Sequence, residues 1–290
     1  MAGSTPAELV RRSAAYLERH GVESPTANAE TLLMQILGTD RAGLYARRGG
    51  LDARSARLFG RALCRRCAGT PLQHLTGRQQ FLDRTLIVRP GVFVPRPETE
   101  VVALAGLDAI DGVTTPVVVD VGTGTGAIAV TIAGRRPDAV VSATDVSPDA
   151  VALARENARR LGVRIDVREG DLLSPLDPLL RGRIDLVVSN PPYLTEAEYE
   201  DLPAEVRLDP YEALVGGTDV HERLADEAAG WLRPGGWLVL EIGAAQAPEV
   251  RAMLGRSGFV GVHVRPDLTE RDRVVAGRRP DGAAGHRAGS

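Results

Sequence analysis

The sequence predicts an α/β protein: a doubly wound parallel sheet, preceded by a small all-α module and joined to it by a β-hairpin connector. Three observations carry this expectation. From Thr5 to Gly69 the apolar residues recur at helical spacing and strand alternation is absent. From Val117 onward, short β-branched runs alternate with helix-length stretches. Those runs are apolar throughout, the pattern of strands covered by helices on both faces.

At the amino end, Thr5-Pro6-Ala7-Glu8 has the form of a capping box with Pro at the first helical position. Leu9, Ala14 and Leu17, then Thr31, Leu32, Leu33, Ile36 and Leu37, keep helix-like spacing. Gly21, Gly38 and Gly49-Gly50 punctuate the stretch, giving three or four helices that end near Gly69 in a domain of residues 1–78. In the connector, residues 79–97, Phe81 to Val88 and Val92-Phe93-Val94 predict two strands around the turn Arg89-Pro90-Gly91. The α/β domain then covers residues 98–279, with strands at Val117–Val119, Val140–Thr144, Ile165–Val167, Leu186–Val188 and Trp237–Leu240. Residues 280–290 are Gly/Ala-rich and read as a loose tail.

Composition excludes several chemistries. The 290 residues carry 35 Lys+Arg against 38 Asp+Glu, a formal net charge of −3, and no Lys occurs anywhere. A Walker-type phosphate loop, a Schiff-base lysine and a lysine general base are therefore ruled out. The near-neutral balance argues against a basic coat for nucleic acid. No apolar run approaches the ~20 residues of a membrane span. Met1 to Val10 lacks the basic-then-apolar order of a secretory signal, so the cytoplasm is the expected address. Cys64 and Cys67 are the only cysteines, and no second pair follows to complete a zinc site. They read as two reduced thiols on a helix, and no metal is expected.

The strand Val117 to Asp120 runs into Val121-Gly122-Thr123-Gly124-Thr125-Gly126-Ala127, with a helix from Ile128 to Ala133. In an open α/β sheet, ligands sit off the carboxyl ends of the strands. Glycines there let the backbone approach a nucleotide, and the following helix N-terminus favours an anionic group. The next strand ends at Asp145, whose carboxylate can accept hydrogen bonds from ribose hydroxyls. Gly122, Gly124 and Ala127 also satisfy the dinucleotide fingerprint, so an NAD-dependent oxidoreductase has to be weighed. Two features favour S-adenosylmethionine. Asp120 suits a cofactor with a free amino group better than one with a pyrophosphate, and Gly170-Asp171-Leu172 offers a carboxylate and an apolar contact for an adenine edge.

After the fourth strand comes Asn190-Pro191-Pro192-Tyr193. An amide or exocyclic amino nitrogen is planar and a poor nucleophile, because its lone pair is delocalised. Two acceptors in its plane, the Asn190 side-chain oxygen and the Pro191 carbonyl, could take both N–H groups. They would raise the nitrogen's electron density and align it with a sulfonium methyl group. Tandem prolines stiffen such a loop, and Tyr193 could cover a planar acceptor by stacking.

These residues resemble class I S-adenosylmethionine methyltransferases acting on planar nitrogens. Further matches narrow the resemblance to the peptide chain release factor glutamine methyltransferases: Pro71-Leu72-Gln73-His74-Leu75-Thr76-Gly77, Val94-Pro95-Arg96-Pro97-Glu98-Thr99-Glu100, Glu241-Ile242-Gly243 with Gln246, and Asp272-Arg273-Val274-Val275. The resemblance spans nearly the whole chain. It implies a seven-stranded Rossmann-like sheet and methylation of the glutamine amide in the Gly-Gly-Gln loop of release factors, in support of translation termination. By position it implies that Gly122, Thr123, Gly124, Thr125, Gly126, Asp145 and Leu172 hold S-adenosylmethionine, with Asp171 and Asn190 beside them. It further implies that Asn190, Pro191, Pro192 and Tyr193 hold the glutamine, and that the helical module contacts the release factor. A monomer without a nucleic-acid or membrane partner is the expected state. His74 stands where the family has Tyr, Leu172 where an aromatic is common, and Asp209-Pro210 where Glu-Pro is usual. Gly216-Gly217-Thr218-Asp219-Val220 also lacks a glycine. None of these departures touches the acceptor motif.

Other residues give weaker signals. His74 reads as a packed histidine, and His20, His221, His263 and His286 form no ligand spacing. Arg96 and Glu98 could line an interdomain groove or form an interdomain ion pair. The Arg pairs at 47–48, 65–66 and 159–160 read as solvated helix faces, the first two pairs open to an acidic face of a partner. The nearest rival activity, methylation of nucleic-acid amino groups, calls for a basic or aromatic-rich strand-binding surface. Here the aromatic fraction is 4%. An NAD enzyme leaves Asn190 to Tyr193 unexplained, and a non-catalytic cofactor-binding module leaves the acceptor motif without a purpose.

Overall fold

The computed structural model describes residues 4–281, so most of the 280–290 tail, and His286 with it, lies outside the described residues. The chain divides into two compact units: a helical one up to Arg78 that also takes in Pro203–Leu208, and a larger one formed by Gln79–Leu202 and the chain from Asp209. The connector hairpin thus belongs to the larger unit, and a short segment far along the chain returns to the helical one.

The helical unit contains α1 (Pro6–Arg19), α2 (Pro25–Leu37), α3 (Arg41–Ala46), α4 (Ala53–Cys67) and α5 (Leu72–Thr76). Four of these helices end before Gly69, and α5, beyond it, is too short to show a period. The capping box is formed: Thr5 Oγ1 accepts from Glu8 N, and Glu8 Oε2 accepts from Thr5 N at 2.9 Å. Leu9, Leu17, Leu33, Leu44 and Phe59 fill one core. Each fully buried apolar side chain of this kind contributes about 1.5–3 kcal/mol.

Arg66 corrects the reading of 65–66 as a solvated face. It is buried: Nε donates to Asn28 Oδ1 at 2.8 Å, and Nη1 pairs with Glu205 at 2.7 Å. It therefore ties α4 to α2 and to the returning segment, and it is not free to meet a partner. Arg66→Ala strands a buried amide oxygen and is expected to cost about 2–3 kcal/mol. Glu205→Ala, whose side chain is 43% exposed, should cost under about 1 kcal/mol. Urea unfolding of both variants checks this, and equal losses would refute it.

In the larger unit, β1 (Arg78–Phe81) and β2 (Arg84–Ile87) form a separate two-stranded sheet. The hairpin turn is Leu82-Asp83, not Arg89-Pro90-Gly91, and Val92–Val94 is not a strand. Leu82 takes φ 50°, and its N–H is held by Glu100 Oε1 at 2.8 Å, so a tertiary contact supports a turn that lacks glycine.

The chain continues through α6 (Thr99–Ala109), β3 (Val117–Val121), α7 (Ala127–Arg135), β4 (Val140–Asp145), α8 (Pro148–Leu161), β5 (Asp166–Glu169), β6 (Ile184–Ser189), α9 (Glu196–Glu200), α10 (Asp219–Trp231), β7 (Leu232–Glu241), α11 (Ala247–Arg256), β8 (Val260–Pro266) and β9 (Asp272–Arg278). The seven-stranded sheet has the order β5-β4-β3-β6-β7-β9-β8. Alternate residues of one strand serve opposite cores. Val118 packs with Val102 of α6 and Ile132 of α7, whereas Val119 packs with Leu224 of α10 and Leu254 of α11. That is the doubly wound arrangement.

The sheet is not wholly parallel, which corrects the sequence reading. β9 runs antiparallel to both β7 and β8. β8 is largely exposed on an edge, so it shows no continuous apolar run. Alternation of Val260, Val262 and Val264 is its only local signal. Chain order reverses between β4 and β6 on either side of β3, so the glycine loop after β3 lies at the topological switch point.

Candidate active site

A cavity of about 480 Å³ opens at this switch point, within the range of small-molecule pockets. The glycine loop, Asp145, Val146, Gly170 to Leu172 and Asn190 to Pro192 all contribute to its wall. Gly122 and Gly124 have φ 67° and 55°, and a Cβ on either would meet nothing within 4 Å, so both face open space. Gly126, at φ 84°, instead lies against α8, where an added Cβ would come 3.2 Å from the Ala154 backbone. The first two glycines expose backbone, and the third lets helix and loop pack closely. Buried Asn157 of α8 fixes the loop by donating to Thr125 O at 2.9 Å while bonding the Ile87 backbone on both sides.

The two acids take different roles. Asp120 is buried under the loop and does not line the cavity. Its Oδ2 accepts from Thr123 Oγ1 at 2.6 Å and Ala129 N at 3.0 Å, while Oδ1 has no partner. Burial pushes its pKa up to about 7, against the pull of those two hydrogen bonds. A folded-state value above the unfolded one adds stability that is complete below about pH 4 and lost as pH rises through 7. Relative to wild type, Asp120→Asn should therefore gain about 2–3 kcal/mol between pH 5 and pH 8. Chemical denaturation at the two pH values measures it, and a pH-independent difference would refute the assignment. Asp145 is only partly covered. Its Oδ2 accepts from Gly124 N at 2.8 Å and its Oδ1 from Ser147 N at 2.9 Å, and burial raises its pKa.

Leu172 sits at the wall with φ 45°, an uncommon conformation for a bulky residue, fixed by the hydrogen bond from Thr144 Oγ1 to its carbonyl at 2.8 Å. Asp171 also lines the wall but pairs with Arg223, so its carboxylate is partly engaged.

The acceptor loop is held from several directions. Asn190 Nδ2 donates to Thr99 Oγ1 at 3.1 Å. Neither Asn190 Oδ1 nor the Pro191 carbonyl has a hydrogen-bond partner among the described residues, and both residues line the cavity. Gly216 abuts Pro192, where a Cβ would fall 2.6 Å from its carbonyl oxygen. The Gln246 side chain donates to Tyr193 O and accepts from Gly243 N, both at 2.8 Å. Tyr193 itself does not line the cavity. Its hydroxyl donates to Glu241 Oε1 at 3.3 Å, and burial raises its pKa. The expected ring cover over an acceptor is thus not seen, because the hydroxyl is drawn to a buried carboxyl. Glu241 is 1% exposed, and burial pushes its pKa up to about 7.

Arg96 pairs with buried Asp209 of the same unit, whose Oδ1 also accepts from Val94 N at 3.2 Å. The sequence reading missed Thr99, Asn157, Gly216, Glu241 and Gln246 as site-building residues. Thr99, Glu241 and Gln246 lay within the quoted motifs, but nothing local assigned them a contact. Among the described residues no group of His, Cys, Asp and Glu could hold a metal ion, and no helix is long and apolar enough to cross a membrane.

A family model described as "Methyltransferase small domain" matches residues 84–206. Among solved structures, a T. thermophilus 16S rRNA N2 G1207 methyltransferase in complex with AdoMet and guanosine has TM-score 0.52, covering 70% of this chain and 49% of its own, at 22% identity. Likeness at that identity speaks to the fold alone. Sheet order, switch-point loop and family match together define an S-adenosylmethionine-dependent methyltransferase. The helical unit carries its own match, "PrmC N-terminal domain", over residues 8–77. A release factor glutamine methyltransferase of Moorella thermoacetica is 44% identical over 279 residues, covering 94% of this chain and 96% of the relative. That of Deinococcus radiodurans is 43% identical over 281 residues, covering 95% and 99%. The chain belongs to the release factor glutamine methyltransferase family.

Proposed function

We propose that this protein transfers a methyl group from S-adenosylmethionine to the side-chain amide nitrogen of the glutamine in the Gly-Gly-Gln loop of release factors. The observation that carries the reading is the pair of unpartnered acceptors, Asn190 Oδ1 and Pro191 O, on the wall of one cavity with the glycine loop. A primary amide has two N–H groups in one plane and needs two acceptors. The loop offers two.

The residues present fit the cofactor. Backbone at Gly122 and Gly124 is open to a close ligand, Thr125 Oγ1 is buried without a partner, and Asp145 has lone pairs left for hydroxyls. Thr123, Gly126, Leu172 and Asp171 would complete the site, with Leu172 against the adenine. When bound, the cofactor supplies an electrophilic sulfonium methyl. The chain's part is to hold the amide nitrogen in line, raise its electron density through Asn190 and Pro191, and exclude water. Pro192 and Tyr193 keep the loop rigid. Nothing in this chemistry needs an amine side chain, in keeping with the absence of Lys. The protein acts as a cytoplasmic monomer without direct nucleic-acid contact.

The test is transfer of labelled methyl to four substrates: a release factor, its Gln→Ala variant in the Gly-Gly-Gln loop, DNA and rRNA. Label is expected on the intact release factor alone. Label on nucleic acid but not on the release factor would overturn the reading.

A further inference from the structure

We propose that Gln246 is a positioning residue for methyl transfer: its amide clamps the acceptor loop to the carboxyl end of β7 and so sets where the Pro191 carbonyl points. The inference rests on the acceptor role of Asn190 and Pro191 proposed above. Pro191 and Pro192 have no N–H, so across these two residues the backbone can be held only through its carbonyls. The Pro191 carbonyl has to stay open to the substrate. The hold comes two residues on, at the Tyr193 carbonyl.

Gln246 Nε2 donates to Tyr193 O and Gln246 Oε1 accepts from Gly243 N, both at 2.8 Å. A backbone carbonyl only accepts and a backbone N–H only donates, so a side chain that bridges them needs a donor beside an acceptor. A primary amide has both, and these two partners leave it one orientation. The space is fitted to it as well. A Cβ on Gly243 would lie 3.0 Å from Gln246 Oε1 and 3.5 Å from Tyr193 Cδ2. Gly243 does not have a positive φ, so the close approach of the amide, and not backbone conformation, calls for glycine there. Gln246 is itself fixed at the head of α11, where its N–H donates to Gly243 O at 2.9 Å and its carbonyl accepts from Val250 N at 3.0 Å. Ala247 and Val250 of that helix share a core with Leu238 and Leu240 of β7.

The tandem prolines connect this clamp to the chemistry. Each fixes its own φ, and Pro192 also restricts ψ of Pro191. Little torsional freedom is left to absorb a shift between the two carbonyls, so a displacement at Tyr193 O is carried back to Pro191 O. A misplacement of 1 Å at a reacting group can cost about 100-fold in rate. Gln246 does not line the cavity, so it acts only through the loop. The Tyr193 hydroxyl, donating to Glu241 Oε1 at 3.3 Å, is a longer tether to the same strand end.

Gln246→Glu keeps the shape and an acceptor for Gly243 N, but at pH 8 it sets a carboxylate oxygen against Tyr193 O. It should lower kcat on the release factor about 10–100-fold. KM for the release factor and Kd for S-adenosylmethionine should stay at the wild-type values, and the latter also shows that the variant folds. As pH falls toward about 5.5 the carboxyl gains a proton, which it can donate to Tyr193 O as the amide does. Its kcat as a ratio to wild type at the same pH should therefore recover. Tyr193, His221, Glu241, Glu249 and Arg273, the ionisable groups on the elements around it, are common to both proteins, so the ratio removes their titration. Gln246→Met, similar in length with neither donor nor acceptor, should stay impaired at every pH. A packing role predicts Met tolerated and no recovery of Glu in acid. Wild-type kcat in Gln246→Met while Asn190→Ala is inactive overturns the clamp alone. Turnover surviving in Asn190→Ala overturns the acceptor reading beneath it.

Discussion

Asn190→Ala is expected to lower kcat for methyl transfer at least 100-fold while S-adenosylmethionine still binds. Removing one preorganised polar contact to a reacting group typically costs about 100–1,000-fold, and here the loss is compounded. The amide nitrogen loses one of its two acceptors, and with it the alignment that replaces a chance encounter by a fixed geometry. The fold should tolerate the change, because Asn190 follows β6 in a loop held independently through Gly216, Gln246 and the backbone bond from Leu194 N to Leu214 O at 2.9 Å. Thr99 loses one donor and keeps its place in the first turn of α6. Single-turnover transfer from labelled cofactor, with calorimetric cofactor binding in parallel, separates the two effects. Turnover within about tenfold of wild type would remove Asn190 from the acceptor role.

Asp145→Ala should instead act on binding, raising the Kd for S-adenosylmethionine about 10–100-fold. A hydrogen bond to a charged group is worth about 1.5–3 kcal/mol, and each 1.4 kcal/mol is tenfold in affinity. Asp145 stands to contribute twice, as an acceptor for ribose hydroxyls and as the group that fixes Gly124 N and Ser147 N. Without it the glycine loop loses a brace at the point where its backbone faces the cavity. Calorimetric titration with the cofactor measures the change, and saturating cofactor should recover much of the rate. A Kd unchanged from wild type would sink the ribose assignment.

Both variants act at positions legible in the chain before any coordinates. The glycine loop, Asp145 and Asn190 to Pro192 lie on local signals: a strand, a glycine cluster, an acid at the end of the next strand, a proline pair. The same locality explains the misses. Leu82 carries a turn without glycine because Glu100, eighteen positions on, supports it. Arg66 looks like a helix-surface cation until Asn28 and Glu205 close around it, and Arg96 finds its partner in Asp209, far along the chain. β8 is hidden because an edge strand shows alternation rather than a continuous apolar run.

By itself, then, the sequence determined the doubly wound class, the helical module, the switch-point loop, and a chemistry that must work without an amine side chain. Each follows from backbone preference or hydrophobic period, quantities set within a few residues of one another. Only the tertiary structure decided which buried polar groups meet. Asn190 and Thr99 are 91 positions apart, and Asn157 and Ile87 are 70. A polar side chain taken from water must find a partner wherever the fold brings one, so its partner is a property of the packed core and not of the neighbouring sequence. The loop's residue types are written locally.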